Sequence, residues 1–446
     1  MNFTQQSKTL KPSFSISLFI ILGAIYAFGT FGFLNLFGAR TAFQLIYLGS
    51  IFGITLFLLN QHFSRKKAFK ALLFFSLMGL GGLANAGLLT SPVESVVMLA
   101  VLLTITLLPK REILQLARIL VKATFVLCSL VLVAYIYYQS NPSEFLSANF
   151  HIYDSTVGSA RIIPTHFMDW ISFTSGDGFM VFGEVSSRMK GYSNEPSSTI
   201  VHYLAPAVLA FLLGGRYFYL GIFILMVNII AIASFVGHII VILSLALLFI
   251  FLVTRKQAKF FVCICGALLI FLILSPSMMT DLFNIVSGQF GSDFDLIHRK
   301  LLVGVSGSSN LEIRQQGMIT GIKLLITSPL GYSTNLLGAG SGLLYTVSAF
   351  SGWIGVAIFV LYIAYILKLV FLWLRKGRTS LSQKYGLALM VSVIFVTLFI
   401  SGYGWERPAG LVMFVVFHRV VAIHYQSIEI QPHNSTTKRI FLPNPN

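Results

Sequence analysis

The sequence predicts an all-α fold, a polytopic membrane protein of about twelve transmembrane helices in one integral membrane domain, residues 1–446, with two long loops on one side. Three observations predict it. Of the 446 residues 56% are hydrophobic and only 10% are charged, where a soluble domain carries roughly 25% charged residues. Apolar runs long enough to cross a bilayer recur from end to end. Basic residues cluster in every second connection between those runs. The composition excludes a disordered chain, a coiled coil, a disulfide scaffold and an ordinary soluble enzyme.

The runs are expected at 14–36, 41–60, 68–90, 93–109, 114–138, 197–214, 217–235, 236–254, 259–275, 346–373, 384–402 and 408–425. The first is too long for a signal-peptide core and lacks a small-residue cleavage site, so it reads as a span. Residues 217–254 form one apolar stretch of about 60 Å if helical, twice the hydrocarbon thickness, and divide near Ser234–Gly237. The three cysteines, Cys128, Cys263 and Cys265, all lie in apolar runs and offer neither a disulfide framework nor zinc spacing.

Lys plus Arg number 31 against 14 Asp plus Glu, a net charge of +17. Arg65-Lys66-Lys67, Lys110-Arg111, Arg216, Arg255-Lys256, Arg375-Lys376 and both termini share one side, which is cytoplasmic by the positive-inside rule. The charge is therefore a topology signal and an attraction to anionic membrane lipids. Nucleic acid is not expected as a partner. No P-loop is present, which argues against an ATP-driven pump.

The opposite side holds nearly all the acidic residues and both long loops, about 139–196 and 276–345. Long loops in a compact protein usually carry function. The first ends in Arg188-Met189-Lys190-Gly191-Tyr192-Ser193-Asn194-Glu195-Pro196-Ser197-Ser198 and runs directly into a span. Pro196 suits a first helical position, with Glu195 beside the positive helix end. Glu195, Ser198 or Thr199, and His202 recur at helical spacing, so one face can hold a carboxylate able to take a proton from a hydroxyl. The same residues also suit a plain helix start with a snorkelling basic pair. The second loop holds Arg314, suited to phosphate or carboxylate, then Ser328-Pro329-Leu330-Gly331-Tyr332 and the glycines Gly338, Gly340 and Gly342. Asp293-Phe294-Asp295 has the form of a metal-diphosphate pair but falls on the side where nucleotide sugars are not expected, and reads as a solvated acidic loop.

Arg188-x-Lys190-Gly191-x-x-x-Glu195-Pro196-Ser197 opening a span resembles the first-loop motif of the Wzy-type O-antigen and polysaccharide polymerases. Arg314-x-x-Gly317, then Ser328-Pro329-Leu330-Gly331-Tyr332 and Gly352-Trp353-Ile354-Gly355, resembles their second-loop region, and Ser234–His238 their small-residue turn between spans. The order runs over roughly 185–360. The resemblance implies a metal-independent GT-C-like glycosyltransferase with no cofactor, on the periplasmic face of the bacterial inner membrane, both termini cytoplasmic. Its donor would be a growing glycan on undecaprenyl pyrophosphate and its acceptor one repeat unit on the same lipid. A chain-length regulator and a flippase are the further partners it implies.

The resemblance also implies roles. Arg188 and Arg314 would stabilise the departing pyrophosphate, as fixed guanidinium groups can, and Glu195 would be the base. Lys190, Tyr192, Asn194, His202, Arg161 and Arg407 are the accompanying substrate-binding candidates. Arg407 follows Glu406, so a structural ion pair is the alternative there, and His202 and His238 equally suit helix packing. The related O-antigen ligases carry a histidine shortly before the span after the second loop. Leu343–Phe350 has none, which favours polymerase over ligase. A lipid-linked oligosaccharide flippase or secondary carrier is the competing class, since the span count suits it equally.

Overall fold

The computed structural model describes isolated positions between 49 and 60, residues 64–70 and 101–140, strands within 148–191, then 203–232, 235–253, a few positions from 323 to 331, and 343–375, 379–399 and 408–434. The expected spans at 14–36 and 259–275, most of 41–60 and 68–90, and the first part of 93–109 lie outside the described residues. So does nearly all of the second long loop.

Helix α1 runs Lys110–Ser140, about 46 Å at 1.5 Å per residue. Ile113, Leu116, Ala117, Val121, Thr124, Cys128, Val131 and Ala134 form its buried face. Arg111, Arg118 and Lys122 lie exposed near its start, and Val126, Val133 and Ile136 are exposed further along.

Six strands follow: β1 Ala148–Asp154, β2 Ser159–His166, β3 Ile171–Thr174, β4 Met180–Val181, β5 Glu184–Val185 and β6 Arg188–Gly191. They form an antiparallel four-stranded sheet in the order β1-β2-β3-β6 and a separate β4-β5 pair. The sequence marks this part of the chain as a long loop, about 139–196, and the sheet is an addition to the helical fold. β-Branched and aromatic residues fill β1 and β2, Phe150-His151-Ile152-Tyr153 against Ala160-Arg161-Ile162-Ile163, as strands favour. Pro164 cannot donate to a ladder, and it sits in the part of β2 that pairs only with β1.

Helix α2, Ala205–Leu213, is the innermost element. Residues 203–212 are all buried, and α2 packs against α1, α3 (Arg216–Val227), α6 (Leu381–Phe399) and α7 (Pro408–Asn434). Small residues permit the approach. A Cβ added at Gly386 of α6 would lie 2.9 Å from Phe211 Cβ and 3.0 Å from Leu212 N. Ser382 Oγ donates to the Phe211 carbonyl at 2.8 Å, and the Phe211 and Tyr385 rings meet edge to face at 4.7 Å. Close backbone approach and polar ties of this kind hold helices together in lipid, where burial of apolar surface does not drive association. Ser380 and Gln383 cap the start of α6 reciprocally, Gln383 N–H donating to Ser380 Oγ at 3.2 Å and Ser380 N–H to Gln383 Oε1 at 3.1 Å.

The expected span 217–235 is α-helical only to Val227. Asn228–Ile232 is a π-helical turn, and α4 begins at Phe235 and runs to Val253. Helix α5, Leu343–Arg375, is broken at Gly352 (φ 57°, ψ −154°) inside the expected span 346–373. Among the described residues, Lys110–Tyr137, Gly352–Arg375 and Leu381–Leu398 are long and apolar enough to cross a membrane. Exposed residues on α4 and α5 are largely apolar, including Ile242, Leu245, Phe249, Val360 and Leu361.

Candidate functional site

The first-loop cations belong to the sheet. Arg188 and Lys190 lie in β6, with Arg188 in register with Thr174 of β3. Arg161 lies in β2, in register with Ile152 of β1. One strand, β3, separates β2 from β6, so the Arg161 and Arg188 strands run about 10 Å apart at the usual spacing. Strand β6 lies against the π-helical turn Asn228–Ile232 and also approaches α1. The motif that begins at Arg188 leads into α2: Tyr203 is fully buried and Ala205 starts the innermost helix. Tyr192, Asn194, Glu195 and His202 fall between and lie outside the described residues, as do Arg314 and Arg407.

The π turn carries Asn228, which is 3% exposed. Among the described residues, neither its carbonyl oxygen nor its NH2 has a hydrogen-bond partner. Sequence inspection passed over it, because one Asn in an apolar run looks like a helix-packing residue. A π turn inside an α-helix often marks a functional position, but it leaves no trace in residue types.

The second-loop motif and the next span meet at one point. The Trp353 N–H donates to the Pro329 carbonyl at 2.9 Å. Gly352 allows it: its φ of 57° is in the region that favours glycine. A Cβ there would lie 2.6 Å from Gly331 N and 2.7 Å from Leu330 C, and closer still to the Pro329 oxygen. The two short motifs, some twenty residues apart in the sequence, are thus two halves of one contact. Leu330 and Trp353 are both exposed beside it, and tryptophan is common where a membrane meets water.

A second polar cluster joins α5, α7 and the residues before α1. His418 Nδ1 lies 3.2 Å from Tyr362 Oη, and the His424 ring stacks on Trp373 at 5.0 Å. Arg419 donates to the Leu108 carbonyl. The last expected span, 408–425, carries His418, Arg419 and His424. Their presence at helix depth was the available signal, since such residues are functional candidates by default.

No protein-family model, curated protein or solved structure matches the chain.

Proposed function

We propose that the chain is a periplasmic-face glycosyltransferase that polymerises undecaprenyl-pyrophosphate-linked repeat units into O-antigen or capsular polysaccharide, releasing undecaprenyl pyrophosphate. In this reading it is a GT-C-like protein of about twelve spans in the bacterial inner membrane, with both termini cytoplasmic. The acceptor's terminal hydroxyl attacks the donor's anomeric carbon, and the carbon–oxygen bond to the pyrophosphate breaks. Arg188 and Arg314 stabilise the charge that develops on the leaving oxygen. Glu195 takes the hydroxyl proton.

The observation that carries this reading is the placement of the strand with Arg188 and Lys190 against the π turn of the helical bundle. The docking of Pro329 at Gly352 supports it, because it ties the loop that holds Arg314 to the start of a span. The Tyr362–His418 contact and Arg419 favour a second reading, a carrier of lipid-linked oligosaccharide, since carriers keep polar groups at helix depth.

The test is made in cells that produce the glycan. Arg188→Ala and Arg314→Ala each abolish long chains while the protein stays in the membrane at normal abundance. Normal long chains in both variants would exclude the site. Loss of all surface glycan, including single units, would favour the carrier.

A further inference from the structure

Asn228 presents a buried amide that nothing among the described residues answers. An unpaired buried donor or acceptor costs about 1–3 kcal/mol, and Asn228 has one of each. It opens the π-helical turn against which β6 lies. Counted from Arg216, it stands about 18 Å along the helix.

We propose that Asn228 is a glycan-binding residue, its amide bonding hydroxyls of the sugar attached to the pyrophosphate of the lipid-linked substrate; this rests on the polymerase reading. The unanswered pair is a donor and an acceptor side by side. A phosphate oxygen only accepts, so it would satisfy the NH2 and leave the carbonyl bare. Neighbouring sugar hydroxyls each donate and accept, and satisfy both. The adjacent strand carries Arg188 and Lys190, the residue types that suit a pyrophosphate. Two adjacent features of the protein thus match two covalently adjacent parts of one ligand. Both amide atoms are closed to solvent, so binding the sugar requires the packing around Asn228 to open.

The experiment uses the full chain in detergent and two probes, undecaprenyl pyrophosphate and the undecaprenyl-pyrophosphate-linked repeat unit isolated from cells that make the glycan. Asn228→Leu keeps the volume and removes both polar atoms. A purely structural asparagine with unpaired groups becomes neutral or more stable on this change, so stability alone does not distinguish the roles and binding does. The expected result is that Asn228→Leu binds the glycan-bearing lipid about tenfold more weakly than wild type, about 1.4 kcal/mol. It binds the bare lipid as wild type does. Equal affinity of wild type and variant for the glycan-bearing lipid overturns the proposal, as does equal weakening for both lipids or a wild type that does not distinguish them. If Asn228→Leu does not fold, Asn228→Ser is measured by the same criteria. Glycan-dependent binding lost in the variant, with no polymer formed by wild type, keeps Asn228 and sinks the polymerase reading. Polymer formed by wild type, with unchanged binding in the variant, sinks Asn228 alone.

Discussion

Replacing Gly352 by alanine puts a methyl group where loop backbone already sits. The new Cβ would lie 2.6 Å from Gly331 N and 2.7 Å from Leu330 C, and backbone atoms cannot swing aside as a side-chain end can. The φ of 57° and ψ of −154° cost a residue with a side chain about 1–3 kcal/mol. The clash is relieved by undocking residues 329–331, which gives up the Trp353 N–H bond to Pro329, about 1 kcal/mol. That bond is lost on undocking in either protein, so the strain alone sets the change: about 1–3 kcal/mol, which lowers the docked-to-undocked ratio by about 5-fold to 160-fold. Hydrogen exchange followed by mass spectrometry reads this directly. The Trp353 amide opens the helix after the kink, where no intrahelical carbonyl receives it, so its protection reports the Pro329 contact. Exchange at Trp353 should accelerate by that factor in Gly352→Ala, with little change in residues 359–373. Unchanged exchange at Trp353, with an unchanged melting temperature, would refute the docking argument.

Two further outcomes follow from the same structure and reading. Glu195→Gln should lower kcat with little change in KM if the carboxylate takes the acceptor proton, and an unchanged kcat would return Glu195 to a helix-start role. Gly386→Val should destabilise the protein by about 1–3 kcal/mol, because the added atoms press on Phe211 Cβ at 2.9 Å and on the Leu212 backbone at 3.0 Å; thermal unfolding followed in detergent checks this, and an unchanged midpoint would contradict the tight packing of α6 on α2.

Apolar run length located the helices well at two of the expected spans. The expected spans 114–138 and 384–402 correspond to Lys110–Ser140 and Leu381–Phe399. Run length says nothing about how the backbone behaves inside a run. The π turn at Asn228–Ile232 and the break at Gly352 both fall within expected spans. Gly352 was noticed as part of a motif, but its positive φ depends on Pro329, a residue some twenty positions earlier. The sheet was hidden for a similar reason. Pairing Arg188 with Thr174 joins β6 to β3 across the intervening β4–β5 pair and is non-local, and β4 and β5 are two residues each, too short for an alternation to register. Arg188 and Lys190 were visible as charges shortly before an apolar run, and Arg161 as a cation within the long loop. Their common sheet was not. The Arg419 tie to Leu108 escaped because the last span was read by its average apolarity, and one cation satisfied by a distant carbonyl barely changes that average.

The most direct measurement of the central claim is a gel of the products made by purified protein given only the undecaprenyl-pyrophosphate-linked repeat unit, without nucleotide sugar and without added metal. A ladder of lengthening glycans, absent in Arg188→Ala and Arg314→Ala, is the predicted result. No ladder from the correct repeat unit, or transfer seen only when a lipid A core acceptor is supplied, would contradict it.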